Sequence, residues 1–187
     1  MHTHTFVSYE EFGRRFFEVA VTEDRVAAAF AEIAGNSFEM GPMAQGPGKL
    51  AKITARVQIQ QPQVRRNLGE TITFAVRIPL VIELLIDLWL DKQRFIVDGE
   101  IALRAAARAA EPLTIVIDVA KPRPSDIAVH VTSKSVRGEI LRIIAGVDGE
   151  IRRFIAAYVA EEIDSPASQQ AKIIDVENQV ASAWDSD

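Results

Sequence analysis

The sequence predicts an α+β domain in which a curved antiparallel meander sheet of about six strands wraps a long C-terminal helix, with two short N-terminal helices. Between residues 50 and 131, apolar residues alternate with polar ones, which is typical of strands with one buried face. From residue 140 to 158 the apolar residues recur every three or four positions instead, which indicates an amphipathic helix. Two helix-start signals precede the sheet.

Composition limits the size and the function classes. With 187 residues, 48% of them hydrophobic and 25% charged, the chain suits one α+β domain over residues 1–165, followed by an amphipathic segment and frayed tail over 166–187. Because there is no cysteine, we expect no disulfide, thiolate metal site or cysteine nucleophile. A net charge of −5 disfavours nucleic acid as a partner and disfavours membrane binding through bulk charge.

The N-terminus and the longest apolar run bear on location. The first residues have no basic region followed by an apolar stretch, so we expect no signal peptide. The run from Ile78 to Leu90 is interrupted by Glu83 and Asp87, which argues against a transmembrane helix. We therefore expect a cytoplasmic protein with at most peripheral membrane contact.

The first helix is predicted after Ser8. Ser8 and Glu11 have the spacing of a capping box, and Phe12, Phe16 and Val19 then form one apolar stripe. A second helix is predicted after Thr22 and ends at Gly35-Asn36. The alternative for residues 16–21 is a strand, because these residues also tolerate extended backbone.

The glycine- and proline-rich residues 41–49 are interpreted as a loop. Gly41 and Gly46 have the spacing of a phosphate-binding loop, but Pro47 stands where the phosphate-binding lysine would be. No serine or threonine follows, and no helix pattern begins. A turn leading into a strand is the better interpretation.

The alternation defines six predicted strands, separated by short turns. The residue Pro79 predicts an edge or a bulge, since it lacks a backbone donor. The run from Ile82 to Leu90 also fits a helix, because Glu83, Asp87 and Asp91 are four residues apart, but its neighbours favour a strand. The strands are predicted at residues 50–60, 72–78, 82–90, 94–108, 113–119 and 127–131.

The predicted C-terminal helix supplies an apolar side to cover the concave face of the sheet. Its stripe includes Ile144, Ile151 and Phe154, and Asp164-Ser165-Pro166 ends it. The final stretch from Ile173 to Trp184 is amphipathic and either docks as a short helix or stays mobile.

Candidate chemistry is sparse. His130 alternates with buried valines and is interpreted as a lone surface residue, while His2 and His4 lie at a mobile end. The acidic row of Glu83, Asp87 and Asp91 has the oxygen ligands of a cation site, but the solvated face of a strand is the better interpretation. No catalytic set can be assembled, so we expect no enzyme, no metal site and no cofactor.

The layout resembles the tubular lipid-binding (TULIP) superfamily over about residues 40 to 165. The resemblance rests on the Gly-Pro-Gly turn at 46–48 that leads into an alternating strand, on the long meander strands, and on the Gly-Val-Asp-Gly-Glu-Ile helix at 146–151 that runs into Asp-Ser-Pro. It implies an apolar groove for lipid tails and no catalytic residues. The START-like helix-grip fold, also a curved sheet around a C-terminal helix, is the competing resemblance and is favoured if residues 16–21 form a strand.

The predicted function is binding of a lipid or another long apolar ligand in the cleft between sheet and helix, without catalysis. The alternative is an interaction module whose core is fully packed, such as a homodimer formed through strand edges or the 173–184 segment. A helix-grip enzyme is a third hypothesis and needs a polar pair inside the cavity, which the alternation does not supply. The predicted ligand-binding residues are apolar: Phe74, Ile86, Leu88, Phe95, Leu103, Ile115, Ile144, Ile151 and Phe154.

Overall fold

The computed structural model describes residues 4–131 and 138–184. In these residues the helices are α1 (Tyr9–Ala20), α2 (Glu23–Phe30), α3 (Gly138–Asp164), α4 (Pro166–Ala171) and α5 (Val176–Trp184). The strands are β1 (Ser37–Gln45), β2 (Ala51–Ile59), β3 (Gln63–Asn67), β4 (Thr73–Asp87), β5 (Lys92–Ala110), β6 (Thr114–Val119), β7 (Ile127–His130) and β8 (Ile173–Asp175).

The predicted fold class is confirmed: a curled antiparallel sheet accompanies one long helix and short N-terminal helices. The main strand order is β1-β2-β4-β5-β6-β8. The long β4-β5 hairpin is the centre of the sheet. Along its outer edges β2 and β3 pair with successive parts of β4, and β7 and β6 pair with successive parts of β5.

The loop predicted for residues 41–49 is wrong, because β1 continues through Gln45. Its pairing with β2 shifts register between Met40 and Met43, so the bulge takes up Gly41-Pro42 without ending the strand. Gly41 has a φ of +109°, and a Cβ there would lie 2.6 Å from the carbonyl oxygen of Ile53. Only glycine fits this bulge, and the hairpin turn is confined to residues 46–50.

The division into two strands at 72–78 and 82–90 is also wrong, because β4 runs without a break through Pro79. The carbonyl oxygen of Pro79 accepts a hydrogen bond from the Gln60 N–H at 2.9 Å. A strand residue directs its N and its C=O to the same neighbouring strand. The backbone nitrogen of Pro79, which carries no hydrogen, therefore faces the short connection between β2 and β3. Few hydrogen bonds between strands are lost there.

The β4-β5 hairpin turns earlier than predicted. The strand expected to reach Leu90 ends at Asp87, and residues 88–91 form the turn, with the Leu88 N–H donating to the Asp91 oxygen at 2.8 Å. Leu90, the last residue of that predicted strand, is 94% exposed. The inner face ends where the strands end.

Along β4 and β5, the alternation of apolar and polar residues predicts correctly which side chains are buried. The even-numbered residues of β4 from Phe74 to Ile86 are buried, and so are the odd-numbered residues of β5 from Val97 to Ala107. One side of α3 covers this face with a buried stripe: Ile140, Ile144, Val147, Ile151, Ile155, Ala156, Val159 and Ile163. The sheet and α3 share one hydrophobic core.

The terminal segments decide two open alternatives. Residues 16–20 belong to α1, whose N-cap is Ser8, so the strand interpretation that favoured the helix-grip fold is wrong. At the other end, Ile173–Asp175 forms β8 against β6, and only Val176–Trp184 is helical. Among the described residues, no helix is long and apolar enough to cross a membrane.

Candidate apolar cleft

The candidate site is the interface between the inner face of the sheet and α3. Six of the nine predicted residues lie in it with at most 4% of their surface exposed, and all six belong to one apolar cluster. The strands β4, β5 and β6 and the helix α3 position them, because each side chain occupies an inward position of its element. These six are Phe74, Ile86, Leu103, Ile115, Ile144 and Ile151.

The other three predicted residues lie at the margin of this cluster. Leu88 and Phe95 are half-buried near the β4-β5 turn, and Phe95 pairs directly with the buried Leu84. Phe154 lies on α3 and is 42% exposed. The predicted lining thus has a buried centre and partly exposed ends.

Sequence reasoning missed the contact between α3 and the edge strand β1, which we call the aromatic seam: Phe38, Phe154 and Tyr158. The rings of Phe38 and Tyr158 stack with centroids 4.0 Å apart, and those of Phe38 and Phe154 are 5.8 Å apart. Ring pairs at these distances stabilise the contact beyond the burial of their area. The signal in the sequence was the alternation of Phe38 with Met40, which the following Gly-Pro conceals.

The hydroxyl of Tyr158 lies at the edge of the seam. Burial raises the pKa of Tyr158, and the nearby negative charge of Glu162 raises it further. The side chain of Asn36 forms a hydrogen bond that acts in the opposite direction. The phenol therefore keeps its proton to a higher pH than a solvent-exposed tyrosine does.

Near the β1-β2 turn, α3 comes very close to β1. A Cβ at Gly146 would lie 2.9 Å from the Gln45 side-chain oxygen, so the Gln45 amide packs against the helix at this glycine. Gln93 pairs with Ile86 and shares its face of the sheet. Two neutral amides, Gln45 and Gln93, therefore flank the end of the apolar cluster.

The acidic row does not form a cluster of carboxylates. Glu83 lies 3.3 Å from the Arg94 guanidinium, and Asp87 lies 3.7 Å from the Lys92 ammonium. Across residues 4–131 and 138–184, no group of three or more His, Asp or Glu is placed to hold a metal ion. His130 lies exposed at the end of β7. His2 lies outside the described residues.

Two pockets on the surface lie around residues outside the predicted lining. One of about 480 Å³ is lined by residues of the outer face, including Arg56 and Ile96. Another of about 310 Å³ lies among α2, β6 and β8, next to Val26 and Ile117. In the cleft itself, the sheet and α3 pack directly on each other in this conformation.

Neither a protein-family model nor a curated protein sequence matches the chain. Among solved structures, the crystal structure of a lipopolysaccharide binding protein is similar, with a TM-score of 0.41 and 10% sequence identity. The match covers 86% of this chain and 39% of the other, so this chain spans about two fifths of that protein's length. A likeness of this size gives no support to a shared function, and membership of the tubular lipid-binding superfamily stays a prediction.

Proposed function

We propose that this protein binds a lipid or another long apolar molecule between the curled sheet and α3, and that it acts by binding rather than by catalysis. The observation that carries the proposal is the continuity of the apolar surface. It runs from the buried Ile86 and Ile151 to the half-buried Leu88 and Phe95 without a charged side chain among the predicted lining residues.

Such a lining selects for apolar length rather than for a head group. Each Å² of apolar surface removed from water contributes roughly 25 cal/mol. A longer acyl chain therefore binds more tightly, while its head group stays at the neutral amides of Gln45 and Gln93 or in water. Entry at the margin needs the least rearrangement, since Leu88 and Phe95 already reach the surface.

A ligand titration tests this proposal with two adjacent residues. Phe95 faces the cleft, whereas Ile96 faces the opposite side and is 59% exposed. Saturable binding of a fluorescent fatty acid is expected for the wild type and for Ile96→Gln, and binding at least tenfold weaker for Phe95→Gln. Circular dichroism checks that both variants are folded.

Native mass spectrometry supplies the complementary readout. Compared with denaturing lipid extraction of the same sample, it reports whether the purified protein carries a bound apolar molecule. Equal affinities for the two variants, or binding that never saturates, would contradict a ligand site in the cleft.

The packed-core module is the second candidate, and the low exposure of the six central residues favours it. On this alternative the sheet and α3 exist only to stabilise each other, and function lies on the outside. Absence of saturable binding, together with a mass that corresponds to a homodimer, would favour it over the lipid-binding proposal.

A further inference from the structure

Two hairpin turns lie side by side at one end of the sheet. The first, residues 46–50, joins β1 to β2, and the second, residues 88–91, joins β4 to β5. They are adjacent because Lys52 of β2 pairs with Asp87 of β4, which in turn pairs with Lys92 of β5. We call residues 46–50 and 88–91 together the hairpin tip.

The hairpin tip exposes three large apolar side chains to solvent. Leu50 is 63% exposed, Trp89 81% and Leu90 94%. Turn residues are ordinarily small or polar, because a turn has little apolar surface on which to pack. Apolar side chains that lie adjacent and exposed indicate a surface that meets another apolar phase.

The backbone holds Trp89 in a conformation that a bulky residue rarely adopts. Its φ is +70°, in the left-handed region. The turn maintains this conformation with a hydrogen bond from the Trp89 N–H to the Asp87 carboxylate at 3.1 Å and with the bond between Leu88 and Asp91. The strained geometry favours a specific role for this indole over incidental exposure.

Charge around the hairpin tip is locally positive, although the chain as a whole carries −5. Lys49, Lys52 and Lys92 lie in the two turns or next to them along the chain, against Asp87 and Asp91. Within the described residues, Lys49 and Lys52 form no ion pair, whereas Asp87 is paired with Lys92. Because charges are screened beyond about 8 Å at physiological salt, this local excess acts on a nearby surface more than the distant net charge does.

We propose that the hairpin tip inserts into the surface of an anionic phospholipid membrane. An indole next to aliphatic side chains suits the boundary between head groups and acyl chains, and lysines at that depth extend to the phosphates. A fluid bilayer adapts to two exposed turns without needing a complementary surface on a folded partner. The proposal concerns membrane contact and does not depend on a ligand in the cleft.

The two tryptophans of the chain make this insertion measurable. Trp89 and Trp184 are both 81% exposed, but Trp184 lies at the end of α5. Trp184→Phe leaves Trp89 as the sole indole, and Trp89→Phe leaves Trp184. With phosphatidylcholine vesicles that contain phosphatidylglycerol, we expect a blue shift and quenching by brominated acyl chains for the Trp89 protein only.

A second variant tests the neighbouring leucines. Leu50→Ser with Leu90→Ser, made in the Trp184→Phe background, is expected to reduce co-sedimentation with these vesicles at least tenfold while the circular dichroism spectrum stays unchanged. Its fatty-acid titration is expected to match the wild type, which separates membrane contact from ligand binding in the cleft.

Three outcomes would overturn the proposal. The first is an equal response of the two tryptophans to vesicles, and the second is no binding to vesicles that contain phosphatidylglycerol. The third is a Trp89 blue shift that depends on protein concentration without vesicles, which would show that the hairpin tip contacts a second copy instead.

Discussion

At the residue scale, adjacent positions of β5 have opposite environments. Ile101 is fully buried in the shared core, while Ala102 is exposed and pairs across the sheet with Arg77. A register shift of one residue would exchange these environments along the whole strand. The alternation therefore fixes which face of the sheet is the cleft, and it can be probed one residue at a time.

Aspartate at these two positions tests the face assignment. Ile101→Asp is expected to lower the free energy of unfolding by about 3–5 kcal/mol, because it brings an unpaired carboxylate into the core. Ala102→Asp is expected to change it by less than about 1 kcal/mol, since its carboxylate lies in water beside Arg77. Urea unfolding of both variants measures the difference, and equal losses would contradict the assignment.

The aromatic seam predicts an alkaline limit on stability. The pKa of Tyr158 is raised in the folded protein, above the unfolded value of about 10. A raised pKa means that the folded state holds the phenol proton more tightly. The stabilising contribution is complete below pH 10 and is lost as the pH rises through the folded pKa.

Ultraviolet titration of the phenols measures this effect, since the chain has only two tyrosines. In Tyr9→Phe, the remaining Tyr158 is expected to ionise above pH 10, and in denaturant at its ordinary value. Tyr158→Phe is expected to weaken the loss of thermal stability as the pH rises above 10. Ionisation of Tyr158 at the same pH in folded and denatured protein would contradict its burial in the seam.

At the element scale, the sequence was informative where one face of an element is uniformly buried. The helix α3 and the inner faces of β2, β4, β5 and β6 carry the contrast between apolar and polar positions that reveals their period. The strand β3 lacks this contrast, because Val64 is its one apolar residue. The strand β1 was concealed by Gly41-Pro42, whose fit depends on the bulge and on the neighbouring carbonyl of Ile53.

The candidate site was predictable to the same degree. The inward positions of strands and helix follow from periodicity, so the buried centre of the cleft was identified. The margin of the cleft was not identified, because the sequence does not distinguish a leucine at the end of a strand from a leucine in the exposed turn that follows it. Leu90 shows this: the pattern continues to it, but the strand ends at Asp87.

The end of α3 is fixed by one buried lysine. The Lys172 ammonium donates a hydrogen bond to the Ile163 carbonyl at 2.7 Å, in the last turn of the helix, and the Lys172 carbonyl accepts one from the Ile117 N–H of β6. Lys172 is 8% exposed, and its burial lowers its pKa. Through these two hydrogen bonds Lys172 links the end of the helix to the sheet. Its positive charge near the last carbonyls also interacts favourably with the helix dipole.

Removal of this side chain is expected to loosen the helix end. Lys172→Ala should lower the free energy of unfolding by about 1–3 kcal/mol through the lost hydrogen bond and lost packing. The matched variant is Lys121→Ala, which removes an exposed ion pair with Asp164 and should cost less than about 1 kcal/mol. Hydrogen exchange is expected to quicken at the C-terminal turn of α3 in Lys172→Ala only; equal exchange in both variants would contradict the role of Lys172.

At the scale of the whole molecule, neither the sheet nor α3 can bury its apolar surface without the other. The sheet is curled, and its inner face is covered by a helix that begins about 80 residues after β2 ends. The seam joins α3 to β1, the first strand in the chain, so closure of the core depends on contacts between distant segments. A chain with such a topology folds slowly, because long loops must close before the contacts between distant segments can stabilise the folded state.

Truncation tests this interdependence. A chain that ends at residue 137 lacks α3 and its seven buried isoleucine and valine side chains, each of which contributes about 1.5–3 kcal/mol on burial. This loss is as large as the whole stability of about 5–15 kcal/mol that a domain of this size has, so the fragment should fail to fold. A chain that ends at Asp175 keeps α3 and β8 and loses α5, which buries only Val176, and it should stay folded. Urea unfolding followed by circular dichroism compares the two fragments. A cooperative transition for the 1–137 fragment would show that the sheet is stable without α3. That result would contradict the shared core on which the proposed cleft depends.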